Sequence, residues 1–93
     1  MRLSVFLGNH EMTIRVKVKE IIGNITGISP ECIADSATFV DDLGLDSLAI
    51  LEIVVDVEKT FQIRASDEEL QSVRSIEDSV ALILRHTYAE AAS

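Results

Sequence analysis

The run Phe39-Val40-Asp41-Asp42-Leu43-Gly44-Leu45-Asp46-Ser47-Leu48 lies at the middle of this 93-residue chain and is its most informative stretch. It places a serine between an aspartate and a leucine, and an uninterrupted helix-forming stretch then runs to Phe61. Asp46 or Ser47 supplies the helix cap, because both side chains accept hydrogen bonds from free backbone N–H groups. Gly44 allows a tight turn, since it has no Cβ. The run therefore predicts a loop leading into a helix at Ser47.

The helix predicted from Ser47 to Phe61 carries two apolar stripes. One follows core spacing: Ile50, Ile53, Val54, Val57 and Phe61. The other lies on a different face beside Glu52, Asp56 and Lys59: Leu48, Leu51 and Val55. A small domain cannot bury both faces of a surface helix, so we expect the second stripe to be exposed and to form a partner surface. The alternative is that the preceding loop folds over it.

The segment Thr13 to Thr26 has two competing patterns. Ile14, Val16 and Val18 alternate with basic residues, which is typical of a strand. The longer match is helical, with Ile14, Val18, Ile21, Ile22 and Ile25 on one stripe. Gly27 suits a helix C-terminus. We therefore predict a helix.

The connection to the serine-bearing helix is long. Ser29-Pro30-Glu31 predicts a capped single helical turn, because proline is favoured at a first helical position. A loop then runs from Ile33 to Asp46, and loops of this length are usually functional or fixed by their own apolar contacts. The candidates for those contacts are Ile33, Phe39, Val40, Leu43 and Leu45.

Two capping signals follow the serine-bearing helix. Ser66-Asp67-Glu68-Glu69 predicts a short helix to about Ser72, and Ser75-Ile76-Glu77-Asp78 predicts the start of a last helix. In that last helix the inward-facing residues are expected to be Ile76, Val80, Ile83 and Leu84.

Composition narrows the possible partners. Hydrophobic residues make up 47% of the chain and aromatic residues only 4%, so the core must be aliphatic. The net charge of −8 argues against nucleic acid. Eight acids and no Lys or Arg lie between Glu31 and Glu58, which centres the negative charge on Ser47. This pattern favours partners with basic surfaces, although a merely solvated acidic surface is the alternative.

The sequence gives little support for a disulfide, a membrane span or a catalytic site. Cys32 is the only cysteine, so no internal disulfide can form; this fits a reducing cytoplasm, and we expect a buried thiol. No stretch approaches the ~20 apolar residues of a membrane span. His10 and His86 lie near opposite termini and are expected to be solvated. No catalytic or metal-binding spacing is recognisable in the sequence.

The Asp42–Leu48 run, the order of the predicted helices and the entry Val73-Arg74-Ser75-Ile76-Glu77-Asp78 together resemble the acyl carrier protein family. The resemblance covers Thr13 to Tyr88. It implies an all-α, four-helix bundle of three main helices plus one short helix. Residues 13–88 would form the carrier domain, residues 1–12 a poorly ordered extension and residues 89–93 a frayed C-terminal tail.

The resemblance also implies a function, in which the chain is not an enzyme but a carrier that enzymes load, modify and unload. Ser47 would bear a 4'-phosphopantetheine arm transferred from coenzyme A, whose thiol holds acyl groups as thioesters. A phosphopantetheinyl transferase and acyl-processing enzymes such as acyltransferases and ketosynthases would bind a surface made of Asp46, Leu48, Leu51, Glu52, Val55 and Asp56. The short third helix would flank the arm, and Ile63 would help line a transient acyl cavity. We expect a cytoplasmic monomer.

The chain departs from the family pattern at several positions. Ala49 stands where many fatty-acid carriers have an acid, and Lys59 interrupts the acidic run. These differences favour polyketide or other secondary metabolism over the housekeeping fatty-acid synthase. A peptidyl or aminoacyl carrier of a nonribosomal pathway is the second interpretation. Peptidyl carriers commonly have a glycine two residues before the attachment serine, where this chain has Leu45. An unmodified helical interaction module is the rival from another class, and a buried Ser47 would support it.

Overall fold

The computed structural model of this chain describes the backbone of residues 10–92 and the side chains of residues 11–87. The described part contains helices α1 (His10–Thr26), α2 (Ser47–Phe61), α3 (Asp67–Gln71) and α4 (Ile76–Ala92), with a 3₁₀ turn, η1, at Pro30–Cys32. Within it, the extended backbone is limited to an isolated antiparallel bridge between Thr38 and Ser75. The predicted all-α fold with three main helices and a short one is confirmed.

Two helix ends differ from the predicted domain boundaries. α1 begins at His10, three residues before the predicted start of the domain, and residues 1–9 of the predicted extension lie outside the described residues. α4 continues to Ala92, so the backbone of the predicted frayed tail is helical up to that residue. Its last residues are mainly alanine, which has the highest intrinsic helix propensity.

α1 is a helix rather than a strand, and its apolar stripe is buried. Ile14, Val18 and Ile22 have at most 1% of their surface exposed. The helix ends at Thr26, and the next residue, Gly27, has a positive φ of 83° and donates its N–H to the carbonyl of Gly23. α1 packs against both α2 and α4, the two other long helices of the bundle.

The core is aliphatic, as the composition predicted, with one aromatic side chain at its centre. The largest fully buried side chains are Phe39, Ile14, Ile22, Ile53, Ile76, Ile83 and Val18. In α4 the predicted inward positions Ile76, Val80 and Ile83 are buried, and Leu84 is half-buried. Burial of this aliphatic set supplies the main driving force for folding.

The long loop between η1 and α2 is fixed by its own apolar residues, with one correction. Ile33, Phe39 and Leu45 are buried and Leu43 is half-buried, but Val40 is 61% exposed. Phe39 enters the core, and its neighbour Val40 therefore faces outward. Backbone bonds from Phe39 N–H to the Arg74 carbonyl (2.9 Å) and from Ile76 N–H to the Ala37 carbonyl (3.1 Å) attach the loop to the start of α4.

Two predictions around η1 are wrong. Ser29 precedes the turn at Pro30–Cys32 but makes no side-chain capping bond. Cys32 is exposed rather than buried. It ends the turn, and the buried position is taken by the next residue, Ile33, which is 2% exposed. The larger isoleucine removes more apolar surface from water in that position.

Candidate cofactor attachment site and partner surface

Ser47 is exposed and is the first residue of α2. Asp46 caps the helix: its Oδ1 accepts a hydrogen bond of 2.9 Å from the backbone N–H of Ala49. The Ser47 hydroxyl is therefore not used as the cap. This geometry presents an oxygen nucleophile to solvent on the rigid first turn of a 15-residue helix.

The loop before Ser47 is held by a local network that the sequence analysis missed. The Asp42 carboxylate accepts hydrogen bonds from the Thr38 N–H (2.8 Å) and the Thr38 hydroxyl (3.0 Å). These bonds lower the pKa of the Asp42 carboxyl, the backbone donor having the larger effect. Asp42 also donates its own N–H to the Thr38 hydroxyl at 3.1 Å. Gly44, near the end of the same loop, has a φ of +67°, a backbone conformation that residues with a side chain rarely adopt.

A groove of about 650 Å³ opens beside Ser47. Its lining includes α2, the loop before α2, α3 and the segment between α3 and α4: Thr38, Val40, Asp41, Ser47, Ile50, Leu51, Val54, Leu70, Gln71, Val73 and Arg74. The volume lies within the range of about 300–1,000 Å³ that is usual for small-molecule sites. Ile63 does not line this groove; it is 7% exposed and belongs to the core.

The second apolar stripe of α2 is exposed, and the alternative in which the loop covers it is wrong. Leu48, Leu51 and Val55 are 66%, 56% and 40% exposed. Glu52, between them in sequence, is exposed, and Asp56 is half-buried. With Asp46 at the start of the helix, these side chains form a charged and apolar surface that adjoins Ser47. We call it the α2 surface.

α3, which forms one wall of the groove, is held to α4 by Glu69. Glu69 completes the predicted capping box with Ser66, and its carboxylate oxygens lie 3.1 and 3.2 Å from His86 Nε2. Arg85 Nη2 is 3.3 Å from the same carboxylate. The Ser66 N–H, followed by the His86 ring, lowers the pKa of the Glu69 carboxyl. His86 is thus half-buried and paired rather than solvated, a contact between distant segments that sequence spacing does not show.

Comparison with known proteins identifies the family. The family described as "Phosphopantetheine attachment site" matches residues 16–83, which is most of the chain. The chain belongs to the acyl carrier protein family. Its relatives include acyl carrier proteins from Syntrophobacter fumaroxidans (40% identity over 70% of this chain and 80% of the relative) and Onion yellows phytoplasma (42% over 76% and 93%).

Solved structures of acyl carrier proteins share the fold. The acyl carrier protein from Thermotoga maritima has a TM-score of 0.74 at 25% identity, covering 85% of this chain and 92% of that one. The apo doublet acyl carrier protein from prodigiosin biosynthesis has a TM-score of 0.71 at 27% identity, covering 80% of this chain and 36% of the doublet. The predicted resemblance and fold are confirmed.

Family membership has three consequences. Acyl carrier proteins are carriers and not enzymes, as predicted. They bear a covalently attached 4'-phosphopantetheine, and an exposed serine hydroxyl beside a groove of ligand size fits that group. They bind a phosphopantetheinyl transferase and acyl-processing enzymes.

Two further findings concern the described residues alone. None of the helices between His10 and Ala92 is long and apolar enough to cross a membrane. Over the same part of the chain, no group of three or more His, Cys, Asp or Glu side chains is arranged to hold a metal ion.

Proposed function

We propose that Ser47 is the residue that carries the 4'-phosphopantetheine arm, and that this chain shuttles acyl intermediates between the enzymes of a fatty-acid or polyketide pathway. The observation that supports this assignment is the exposure of Ser47 at the start of α2, next to the groove. A buried Ser47 would have favoured an unmodified interaction module, and the side chain is not buried.

The arm supplies a thiol on which acyl groups are held as thioesters, and the chain supplies the place of attachment. The Ser47 oxygen would form the phosphodiester bond to the arm. The positive end of the α2 dipole favours a negative group at this position. The apolar floor of the groove, formed by Ile50, Val54 and Val73, would shield the arm or a short acyl chain from water.

The α2 surface is the proposed docking site for the transferase and the acyl-processing enzymes. Its acids would meet basic residues on those enzymes, which speeds diffusional encounter. Its exposed leucines and valine would pack into apolar patches, which stabilises the complex once formed. Both contributions are available within one helix that begins at the attachment residue.

Ala49 supports a dedicated set of partners rather than the housekeeping fatty-acid synthase. It lies with Leu48 in a shallow second groove, whose lining also includes the acids Asp46 and Glu52. An acid at this position would add a third carboxylate to that lining, whereas alanine adds only a methyl group. We therefore favour a discrete polyketide or other secondary-metabolite pathway. The cytoplasmic location and the monomeric state stay predictions.

The test of the attachment site is the intact mass after incubation with coenzyme A, Mg²⁺ and a promiscuous phosphopantetheinyl transferase. We expect the parent protein to gain one phosphopantetheine and the Ser47→Ala variant to gain none. Ser66→Ala is the matched control, because it removes an exposed serine at the start of a different helix and should still be loaded. A loaded Ser47→Ala variant would refute the site, and a folded parent that no transferase loads would support the interaction module.

A further inference from the structure

Arg74 lies in the segment between α3 and α4 and lines the same groove as Ser47. Its backbone is fixed on both sides. The carbonyl accepts a 2.9 Å hydrogen bond from the N–H of Phe39, and its own N–H donates a 2.9 Å bond to Oδ2 of Asp78. The side chain, by contrast, is exposed. The backbone of Arg74 is thus fixed, and its guanidinium is accessible from solvent.

Arg74 is the one basic residue in the lining of this groove. The ion pairs formed among residues 11–87 involve Arg15, Lys19 and Arg85, and Arg74 takes part in none of them. Its positive charge is therefore available to a group that enters the groove. The acid on the same lining, Asp41, is not paired with it in the structure.

A phosphodiester at Ser47 would enter a region that is already negative. The carboxylate of Asp46 occupies the start of α2, where it accepts from the N–H of Ala49. Asp41 adds a second acid on the groove lining. Like charges repel each other over several ångströms even near a protein surface, so the helix dipole alone does not offset a third negative group. A positive partner would offset this repulsion, and a guanidinium matches phosphate oxygens with two parallel hydrogen bonds.

We infer that Arg74 is a positioning residue that pairs with the phosphodiester linking the arm to Ser47, and this inference rests on the proposed function. The pairing holds the first bonds of the arm against the groove. It also reduces the local negative charge without covering the α2 surface.

The test follows the Arg74 side chain and the phosphorus atom directly. The parent, Arg74→Ala and Arg64→Ala proteins are loaded with phosphopantetheine, and the intact mass of each confirms loading. Arg64 is exposed, lies outside the groove lining and gives the same change of charge. The ¹⁵N resonance of each arginine Nε is compared between the unloaded and loaded parent, and the ³¹P resonance is compared among the three loaded proteins and a urea-unfolded reference.

We expect loading to shift the Arg74 Nε resonance and to leave that of Arg64 unmoved. We expect Arg74→Ala to move the ³¹P resonance toward the unfolded reference, with Arg64→Ala matching the parent. A loaded parent whose Arg74 resonance does not move would overturn the inference alone. The same resonance is also recorded for the parent with a succinyl or a butyryl thioester on the arm. A shift of the Arg74 resonance that appears only with the succinyl group would also overturn the inference, since it would assign Arg74 to the acyl carboxylate. A parent that gains no mass would overturn the proposed function as well.

Discussion

At the scale of single residues, Asp46 and Ser47 have separate roles: the sequence allowed either of them to cap α2, and in the structure Asp46 does so. Asp46 satisfies a free backbone N–H at the start of α2 through its 2.9 Å bond to Ala49. Ser47 is exposed and has no capping role. The side chain proposed to be modified is therefore separate from the one that stabilises the helix, and modification at Ser47 need not loosen α2.

This division predicts different stabilities for two neighbouring variants. Asp46→Ala should lower the free energy of unfolding by about 1 kcal/mol, because the cap is lost. Ser47→Ala should change it by less than about 0.5 kcal/mol, as expected for an exposed side chain without a structural contact. Urea unfolding followed by circular dichroism measures both. Equal losses in the two variants would show that Ser47 also contributes to the cap.

At the scale of the element, α2 has two faces with different roles. Ile53, Val54 and Val57 are buried, whereas Leu48, Leu51 and Val55 are exposed. Ile50 lies between these extremes and lines the groove. The helical period of 3.6 residues separates the two sets of positions, and the amount of available core decides which set is covered.

The α2 surface predicts a salt-dependent defect when its charge is reversed. The double variant Glu52→Lys and Asp56→Lys should be loaded by the transferase several-fold more slowly at low salt, because electrostatic steering is lost. The difference should shrink between about 0.01 M and 1 M salt, where the Debye length falls from about 30 Å to about 3 Å. Loading rates at both salt concentrations measure the effect.

The matched control for this reversal is the double variant Glu20→Lys and Glu31→Lys. Both residues are exposed, lie outside α2 and give the same change in net charge. It should be loaded almost as fast as the parent. A defect of the same size in the control would indicate an effect of net charge rather than of the α2 surface, and a defect that is independent of salt would argue against steering.

α3 depends on a polar contact rather than on a large apolar face. The helix has only five residues, none of them buried, and Glu69 links it to Arg85 and His86 of α4. Since Leu70 and Gln71 line the groove, this contact also helps to set the width of the groove.

The lowered pKa of Glu69 predicts how this contact responds to pH. A carboxyl whose pKa is lower in the folded state stabilises the fold above its ordinary pKa of 4.5, and the stabilisation is lost as the pH falls through the folded value. Glu69→Gln keeps an acceptor for the Ser66 N–H but removes the charge. The parent should therefore be more stable than Glu69→Gln at neutral pH, and the gap should narrow as the pH falls below 4.5.

Urea midpoints of parent and variant from pH 7 to pH 3.5 measure this gap. Glu68→Gln removes an exposed carboxylate from the same turn and serves as the control. A gap that stays constant across the range, or one that Glu68→Gln reproduces, would show that the ionised Glu69 contributes no specific contact.

At the scale of the whole molecule, the long loop is part of the core rather than a connection across its surface. Phe39 is fully buried between α-helical residues, and Leu45 and Ile33 are buried with it. Backbone bonds tie the loop to the start of α4, and the Thr38–Ser75 bridge lies at the same place. Ser47 and the α3–α4 segment thereby line one groove.

This packing predicts that a loop residue is as important for stability as a helix residue. Phe39→Ala should lower the free energy of unfolding by about 3–5 kcal/mol through lost burial and a new cavity. That is a large part of the ~5–15 kcal/mol that usually stabilises a domain. Val40→Ala, at a position that is 61% exposed, should cost less than about 0.5 kcal/mol. Denaturant unfolding of both variants measures these losses. A loss for Phe39→Ala as small as that for Val40→Ala would place the loop outside the core.

The sequence by itself determined the helices and the candidate attachment residue, because caps and apolar periodicity act over a few neighbouring positions. The bounds of α2, the capping box of α3 and the exposed stripe of Leu48, Leu51 and Val55 all follow from such local patterns. Only the tertiary structure decided which of two adjacent residues is buried, as at Cys32 and Val40, since that depends on where the other elements lie. It also brought Glu69 to His86 and placed Arg74 and Ser47 on the lining of one groove, because the proximity of residues far apart in the chain leaves no periodic signal in the sequence.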